Sequence, residues 1–342
     1  MTIKLPEYPF DALKPGETRE VAPGIHWVRM ALPFALNHVN LWLMEDDGGW
    51  TVVDSGYNND QTRGFWKAVI ERLVGSQPIR RIVVTHFHPD HLGLAGWFQE
   101  TYGAQLWITY AEWLQAHLGR TNSVTHDFDR WADFFIENGL PAERAKIYRE
   151  SKTNLGQIMW PVPVTLRRIH DGESFPINGR DWRVITGSGH SPEHAALYCE
   201  QLGILISGDQ VLPRITTNIS LWFTEPEGNP LRDYIKSFDK FLPLPEGTFV
   251  LPSHDRPFYG LRDRLEALTV HHDQRLDAAH AACDVPRSAV DIIPTLFNRA
   301  MDDHQLGFAM GESLAHLNYL VGDGRLARVR DRDNVIRYRK TA

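Results

Sequence analysis

Cysteine is almost absent from the 342-residue chain: Cys199 and Cys283 lie far apart, so no disulfide framework can be read. Long apolar runs are lacking as well. No stretch approaches the roughly 18 apolar residues of a membrane-spanning helix, and Met1 to Val21 contains no apolar core of a secretory leader. Repeats and low-complexity tracts are missing too. These absences argue against a disulfide-stapled secreted domain, a membrane span and a solenoid, and they lead to the expectation of a cytoplasmic protein without membrane contact. A formal charge of -7 argues against blanket attraction to nucleic acid.

The apolar fraction of 42% is enough for a sizeable core. The length suits one large domain with a small one attached, read here as 1–270 and 271–342. Charge is unevenly spread. Arg325, Arg328, Arg330, Arg332, Arg337, Arg339 and Lys340 face only Asp331 and Asp333 in the final stretch, which is therefore net +5 against -12 for the rest. Such an end keeps nucleic acid open as a partner, although a solvated basic face is the commoner use.

Short β-branched and apolar runs alternate with helical stretches, which indicates an α/β architecture. Strands are expected at Ile25–Met30, Asn40–Glu45, Trp50–Asp54, Arg81–Thr85, Gln105–Thr109, Trp182–Thr186, Ala196–Glu200, Ile204–Ser207 and Thr248–Pro252. Several end in polar clusters, a common way to assemble a site on a rigid sheet. Residues 111–160 read as a helical insertion. Phe128, Trp131, Phe134 and Phe135 fall near helical spacing, Asn138-Gly139 signals a stop, and Pro141 suits the first turn of another helix. Packing onto the sheet is the ordinary role of such a stripe; a lid over a substrate pocket is the functional one. Toward the C-terminus, helices at Ala289–Met301, Gly307–Met310 and Ser313–Val321 precede a hairpin of Leu326–Arg330 and Val335–Arg339, a pattern that suggests a winged-helix module.

The sharpest signal is Thr85-His86-Phe87-His88-Pro89-Asp90-His91. Three imidazoles and a carboxylate within six residues make a poor core filling, because each brings polar groups that need partners. They are good donors for zinc and related divalent ions. The apolar Ile82-Val83-Val84 delivers the cluster to a sheet edge, and the small residues of Leu92-Gly93-Leu94-Ala95-Gly96 let the chain turn closely into a helix. The His-x-His alternation points His86 and His88 the same way, leaving Asp90 and His91 to turn toward a second ion.

This pattern resembles the metallo-β-lactamase superfamily, whose signature is His-x-His-x-Asp-His after a strand. The resemblance continues, in order, over roughly residues 20 to 260. Val53-Asp54-Ser55-Gly56 matches the early aspartate motif, Thr186-Gly-Ser-Gly-His190 the glycine-rich turn, Ser207-Gly208-Asp209 the strand ending in aspartate, and Pro252-Ser253-His254 the last histidine. It implies an αββα sandwich. It also implies that His86, His88 and His190 bind one ion, that Asp90, His91 and His254 bind another, and that Asp209 bridges them, with Asp54 supporting the site. Zinc is the default metal, with iron or manganese as alternatives. His194, four residues after His190, reads equally as a residue supporting the ligands or as ordinary packing, and the resemblance makes His38 a weak candidate for the pocket, because that loop lies near the metals.

Within that resemblance, two adjacent ions hold a water as hydroxide near neutral pH, and Asp90 both binds metal and handles the proton. Many β-lactamases of this fold carry cysteine where this chain has Asp209, so antibiotic hydrolysis is disfavoured. Only 44 residues separate Asp209 from His254, too few for the domain inserted there in β-CASP nucleases. The ligand set is similar to that of glyoxalase II thioesterases, lactonases and phosphodiesterases. The segment Glu312–Val321 with Gly324-Arg325-Leu326 is similar to the tail of the lactamase-β-2-like group, which includes nucleases of single-stranded RNA. Hydrolysis of a thioester, ester or lactone of a small acyl compound is therefore the first expectation, and cleavage of single-stranded RNA the alternative. An isologous homodimer is the default assembly.

Overall fold

Alternation along His38–Asp46 shows how the sheets are built. Val39, Leu41 and Leu43 enter one apolar cluster and Trp42 and Met44 another, as a two-residue period requires of a strand buried on both faces. In the computed structural model, which describes residues 6–120, 127–150, 155–298 and 301–341, this segment belongs to a seven-stranded sheet. Its strands, in spatial and chain order, are β1 (Thr18–Ala22), β2 (Ile25–Ala31), β3 (His38–Asp46), β4 (Gly49–Val53), β5 (Ile79–Val83), β6 (Gln105–Ile108) and β7 (Arg167–Arg168). The first four pair antiparallel and β4 to β7 pair parallel.

Parallel pairing needs crossovers, and helices supply them. These are α1 (Asp60–Val69), α2 (Pro89–Leu92), α3 (Ala95–Tyr102) and α4 (Tyr110–Arg120). Asn59 caps α1 by accepting from the Thr62 amide. Trp66 and Val69 of α1, Leu92 of α2, Phe98 of α3 and Ala116 of α4 pack with Val39, Leu41 and Leu43 in the first cluster.

A second sheet has the order β12–β11–β10–β9–β8, from β8 (Ser174–Ile177), β9 (Arg180–Gly187), β10 (His194–Cys199), β11 (Ile204–Gly208) and β12 (Phe249–Pro252). Trp182, Val184, Leu197, Ile206 and Leu251 from this sheet meet Trp27, Trp42, Val53 and Val83 from the first. The two sheets thus stack face to face, with helices on the far side of the first, in agreement with the expected α/β sandwich. Strands β1, β7 and β8 are additions to the sequence reading. They are short, with polar residues alternating or dominant, and they lie toward the sheet edges.

The chain forms two compact units. The sheets belong to the first, made of Met1–Thr121, Thr153–Thr217 and Asp239–Leu265. The second draws together Asn122–Lys152, Asn218–Phe238 and Glu266–Ala342. It contains α5 (Phe128–Glu137), α6 (Ala142–Glu150), α8 (Pro230–Ser237), most of α9 (Leu261–Ala282), α10 (Ala289–Leu296), α11 (Asp303–Gly322) and the hairpin β13 (Leu326–Arg330) with β14 (Ile336–Lys340). The short α7 (Leu155–Ile158) returns to the first unit, where Leu155 joins the helical cluster.

The aromatic stripe of α5 packs inside the second unit, with Trp131 against Trp222 (ring centroids 5.0 Å apart) and Phe135 against Tyr148 (5.1 Å). Two helices are read from the sequence around Gly307–Val321, but α11 runs unbroken through them. Asp302 starts it by accepting from the Gln305 amide, and Gly311 is there for a close approach rather than a break. α10 ends earlier than its apolar pattern indicates, because Phe297 turns extended at φ -131°.

In the basic tail, Arg325 pairs with Asp277, Arg328 with Glu227, Arg330 with Glu137, Arg337 with Asp331 and Asp333, and Lys340 with Asp284. Cys199 and Cys283 are both buried and form no disulfide. Among the described residues, no helix is long and apolar enough to cross a membrane.

Candidate metal centre

Five strand ends deliver polar side chains to one edge of the sandwich. Asp54 follows β4, Thr85 to His91 follow β5, His190 follows β9, Asp209 follows β11 and His254 follows β12. A strand must stop before such residues, since a ladder position inside the core would bury their polar atoms without partners. The structure brings together all seven residues that the sequence singles out. Ligand atoms of His86, His88 and His190 form one group, those of Asp90, His91 and His254 a second, and those of His86, His91 and Asp209 a third that overlaps both.

In the first group, His86 Nε2 lies 2.9 Å from His88 Nδ1 and 3.2 Å from His190 Nε2. Asp209 Oδ2 is 3.5 Å from His190 Nε2. In the second group, Asp90 Oδ2 is 3.5 Å from His91 Nε2 and 3.6 Å from His254 Nε2. The other oxygen of Asp209, Oδ1, is 3.6 Å from His91 Nε2 and 3.4 Å from His254 Nε2.

Most of these separations are long for hydrogen bonds. They match the spacing of about 3.3 Å between two ligand atoms held some 2.0–2.1 Å from one tetrahedral ion. His91 Nε2 and Asp209 Oδ1 are moreover buried without any hydrogen-bond partner. Orphaned atoms of this kind are costly in a packed interior unless something else occupies them, and a cation fits the donor set. The residues present therefore suit divalent ions.

Electrostatics divides the groups in the same way. Burial, reinforced by the neighbouring imidazoles, drives the pKa of His86 well below its ordinary value and that of His88 to about 3, so both present neutral nitrogens. Burial also opposes charge on His91 and His254. Asp90 and Asp209 outweigh it, joined at His91 by Asp54, and both histidines are raised. The same pairing holds the Asp90 carboxyl down at about 2 and that of Asp209 well below the usual range, against the opposing effect of burial. The carboxylates around His91 and His254 thus favour positive charge at this group, which a bound cation would supply.

Neighbouring residues fix these ligands. Asp54 Oδ2 accepts from His91 Nδ1 at 2.8 Å and from the Thr85 hydroxyl at 2.9 Å, while its Oδ1 accepts the Thr85 amide at 2.8 Å. Thr85 Oγ1 lies 3.0 Å from His86 Nδ1, so one carboxylate orients a histidine of each group. His254 Nδ1 donates to the His38 carbonyl at 2.9 Å, and the His38 ring accepts the Asp255 amide through Nε2 at 2.7 Å. His194 Nε2 accepts the Asp209 amide at 3.0 Å, which places the shared carboxylate. His38 and His194 therefore act on backbone rather than line the ligand groups.

Glu112 escapes the sequence reading. It is fully buried on α4 and bonds both the His86–His88 loop and the His190 turn. Its surroundings, Tyr110-Ala-Glu-Trp-Leu, carry no motif that would have marked it.

The chain matches the family described as the metallo-beta-lactamase superfamily over residues 35–254, and the metallo-beta-lactamase-like C-terminal domain over residues 276–341. A beta-lactamase domain protein from Burkholderia ambifaria has the same fold at a TM-score of 0.92, with 42% identity and 98% of each chain covered. A metallo-beta-lactamase family protein from Thermus thermophilus superposes at 0.79, with 30% identity, covering 94% of this chain and 100% of its own. The probable metallo-hydrolase YqjP of Bacillus subtilis (strain 168) is 25% identical over 86% of this chain and 91% of its own length. With its motifs gathered in one site and the family pattern spanning more than half of its length, the chain belongs to the metallo-beta-lactamase superfamily.

Proposed function

We propose that the protein is a hydrolase working with two divalent ions, zinc by default, on a thioester, ester or lactone bond of a small acyl compound. The observation that carries this reading is the position of Asp209. Its Oδ2 faces His190 and its Oδ1 faces His91 and His254, so one carboxylate serves two adjoining ligand groups. His86, His88 and His190 would hold one ion and Asp90, His91 and His254 the other. When bound, two such ions supply Lewis acidity, lowering the pKa of water and stabilising negative charge on a substrate oxygen.

The chain's own residues supply the rest. Asp90 is the most open carboxylate of the centre, its side chain 18% exposed against 10% for Asp209 and 2% for Asp54. It is the group placed to take the proton of an attacking water. Asp54, His38 and His194 hold the ligands in position, so little rearrangement is needed during turnover. Neither buried cysteine takes part. The similarity to the B. subtilis protein named as a probable metallo-hydrolase supports the reaction class.

Single-stranded RNA is the second reading, drawn from the basic stretch 325–340. The ion pairs that Arg325, Arg328, Arg330, Arg337 and Lys340 already make leave less positive charge for phosphates, which favours the acyl substrate. The test is a side-by-side assay of metal-loaded protein on acyl thioesters, activated esters and single-stranded RNA, with His88→Ala as control. Faster ester or thioester hydrolysis, lost in the control, is the expected result. Robust metal-dependent RNA cleavage with silent ester assays overturns the first reading in favour of the second.

A further inference from the structure

Glu112 lies in the first turns of α4, buried to 0% exposure, and each of its oxygens is engaged. Oε2 accepts the Phe87 amide at 3.0 Å. Oε1 accepts the Ser191 hydroxyl at 2.6 Å and the Glu193 amide at 2.7 Å. Phe87 stands between His86 and His88, and Ser191 follows His190 directly, so a single side chain ties together the loops that carry three ligands. The His190 turn is laced to the start of α4 a second time, through Thr109 Oγ1 to the Glu193 carbonyl (2.7 Å) and the Ala111 amide to Glu193 Oε2 (3.2 Å).

Burying a carboxylate is expensive, and an apolar residue would fill the space at lower cost. Burial indeed pushes this carboxyl up to about 7 despite its three hydrogen bonds. What a carboxylate alone offers is acceptance on both oxygens at once, because a glutamine must turn donor hydrogens toward one side. The donors of the two loops sit on opposite oxygens, which is the arrangement that demands glutamate.

We infer that Glu112 is a positioning residue that sets the spacing between the His86–His88 loop and the His190 turn, and through it the affinity of that histidine group for its ion. The inference rests on the two-ion reading above. The second group is placed by other means, through Asp54 on His91 and the His38 carbonyl on His254. Loss of Glu112 should therefore weaken one ion and spare the other.

The test is cobalt(II) titration of the full-length protein, followed by visible absorption and metal content. Wild type is expected to take up two equivalents. In Glu112→Gln the amide oxygen can keep one loop, but its NH2 faces donors on the other. One equivalent should bind as in wild type, while the other weakens about 10-fold or more and changes its absorption bands. Ser191→Ala removes one of the three bonds with little risk to folding, and should weaken the same equivalent by a smaller factor. Wild-type affinity and spectrum in both variants overturn the inference; if Glu112→Gln fails to fold, Ser191→Ala decides in the same way. Uptake of fewer than two equivalents by wild type overturns the two-ion reading, and the inference with it.

Discussion

Asp54 reaches His91 across the ends of two parallel strands, accepting its Nδ1 proton at 2.8 Å from a backbone conformation, φ 60°, that few residues other than glycine adopt. The strained turn after β4 aims the carboxylate sideways, and its other contacts, to the Thr85 amide and hydroxyl, lock it there. His91 consequently presents Nε2 to the ligand group. Asp54→Asn keeps the shape but turns an NH2 toward one of these donors. It should lower affinity for the ion at Asp90, His91 and His254 about 10- to 100-fold, with smaller changes at the other group. Zinc titration calorimetry checks this, and unchanged affinity in a folded variant counts against the assignment.

Asp209 serves both groups, so its replacement should act on both. In Asp209→Asn the geometry is kept while the charge and one oxygen are lost. Metal content should fall from two equivalents toward one, and hydrolytic activity by about two orders of magnitude. Elemental analysis of chelator-treated, re-loaded protein measures the first and a thioesterase assay the second. Two tightly held ions in the variant would show that the carboxylate does not bridge.

Motif order makes the candidate ligand residues that the structure gathers legible in the sequence, because each follows a strand, and strand, turn and polar residue are all local signals. The same holds for the alternating apolar runs of β2 to β6, which specify the two-faced sheet. What supports the ligands was mostly invisible. Glu112 lies in a helix whose local sequence gives no hint that its carboxylate faces two distant loops. His194 could be noticed only by its nearness to His190, since its contact with the Asp209 amide depends on the pairing of β9, β10 and β11. Edge strands β1, β7 and β8 are too short to announce themselves by periodicity, and their partners supply most of their definition.

His316 gives the second unit a pH dependence of its own. It is fully buried in α11, donating through Nδ1 to the Glu312 carbonyl at 2.8 Å, and lies 3.4 Å from His272. Burial lowers its pKa to about 4 from an ordinary 6.5, with Arg275 adding to the effect and the Glu312 carbonyl opposing it. The folded form therefore keeps it neutral where the unfolded chain takes up a proton. Its contribution to stability is fully present above pH 6.5 and is lost as pH falls through about 4. The difference in melting temperature between wild type and His316→Gln, measured on metal-free protein from pH 7.5 to 4, isolates this group. Wild type should lose stability more steeply than the variant, and parallel curves would contradict the reading.

Gly311 tests how a glycine inside a helix should be interpreted. On propensity alone, Gly→Ala in a helix interior gains about 1 kcal/mol, and a glycine there reads as a weak point. In α11 the opposite holds. A Cβ at Gly311 would stand 2.7 Å from Ser220 Oγ and 2.8 Å from Ser220 Cβ, and the Leu221 amide donates to the Gly311 carbonyl at 3.0 Å. The segment around Ser220 thus rests directly on the helix backbone, both within the second unit. Added volume must push that segment away or bend the helix, at a cost of about 1–3 kcal/mol that exceeds the propensity gain. Gly311→Ala should accordingly lower the melting temperature by a few degrees, whereas Gly64→Ala, with nothing within 4 Å of the added carbon on α1, should raise it or leave it unchanged. Thermal melts of the two variants beside wild type give the sign directly. Stabilisation by Gly311→Ala would mean that Ser220 yields freely and that the glycine is not held there by packing.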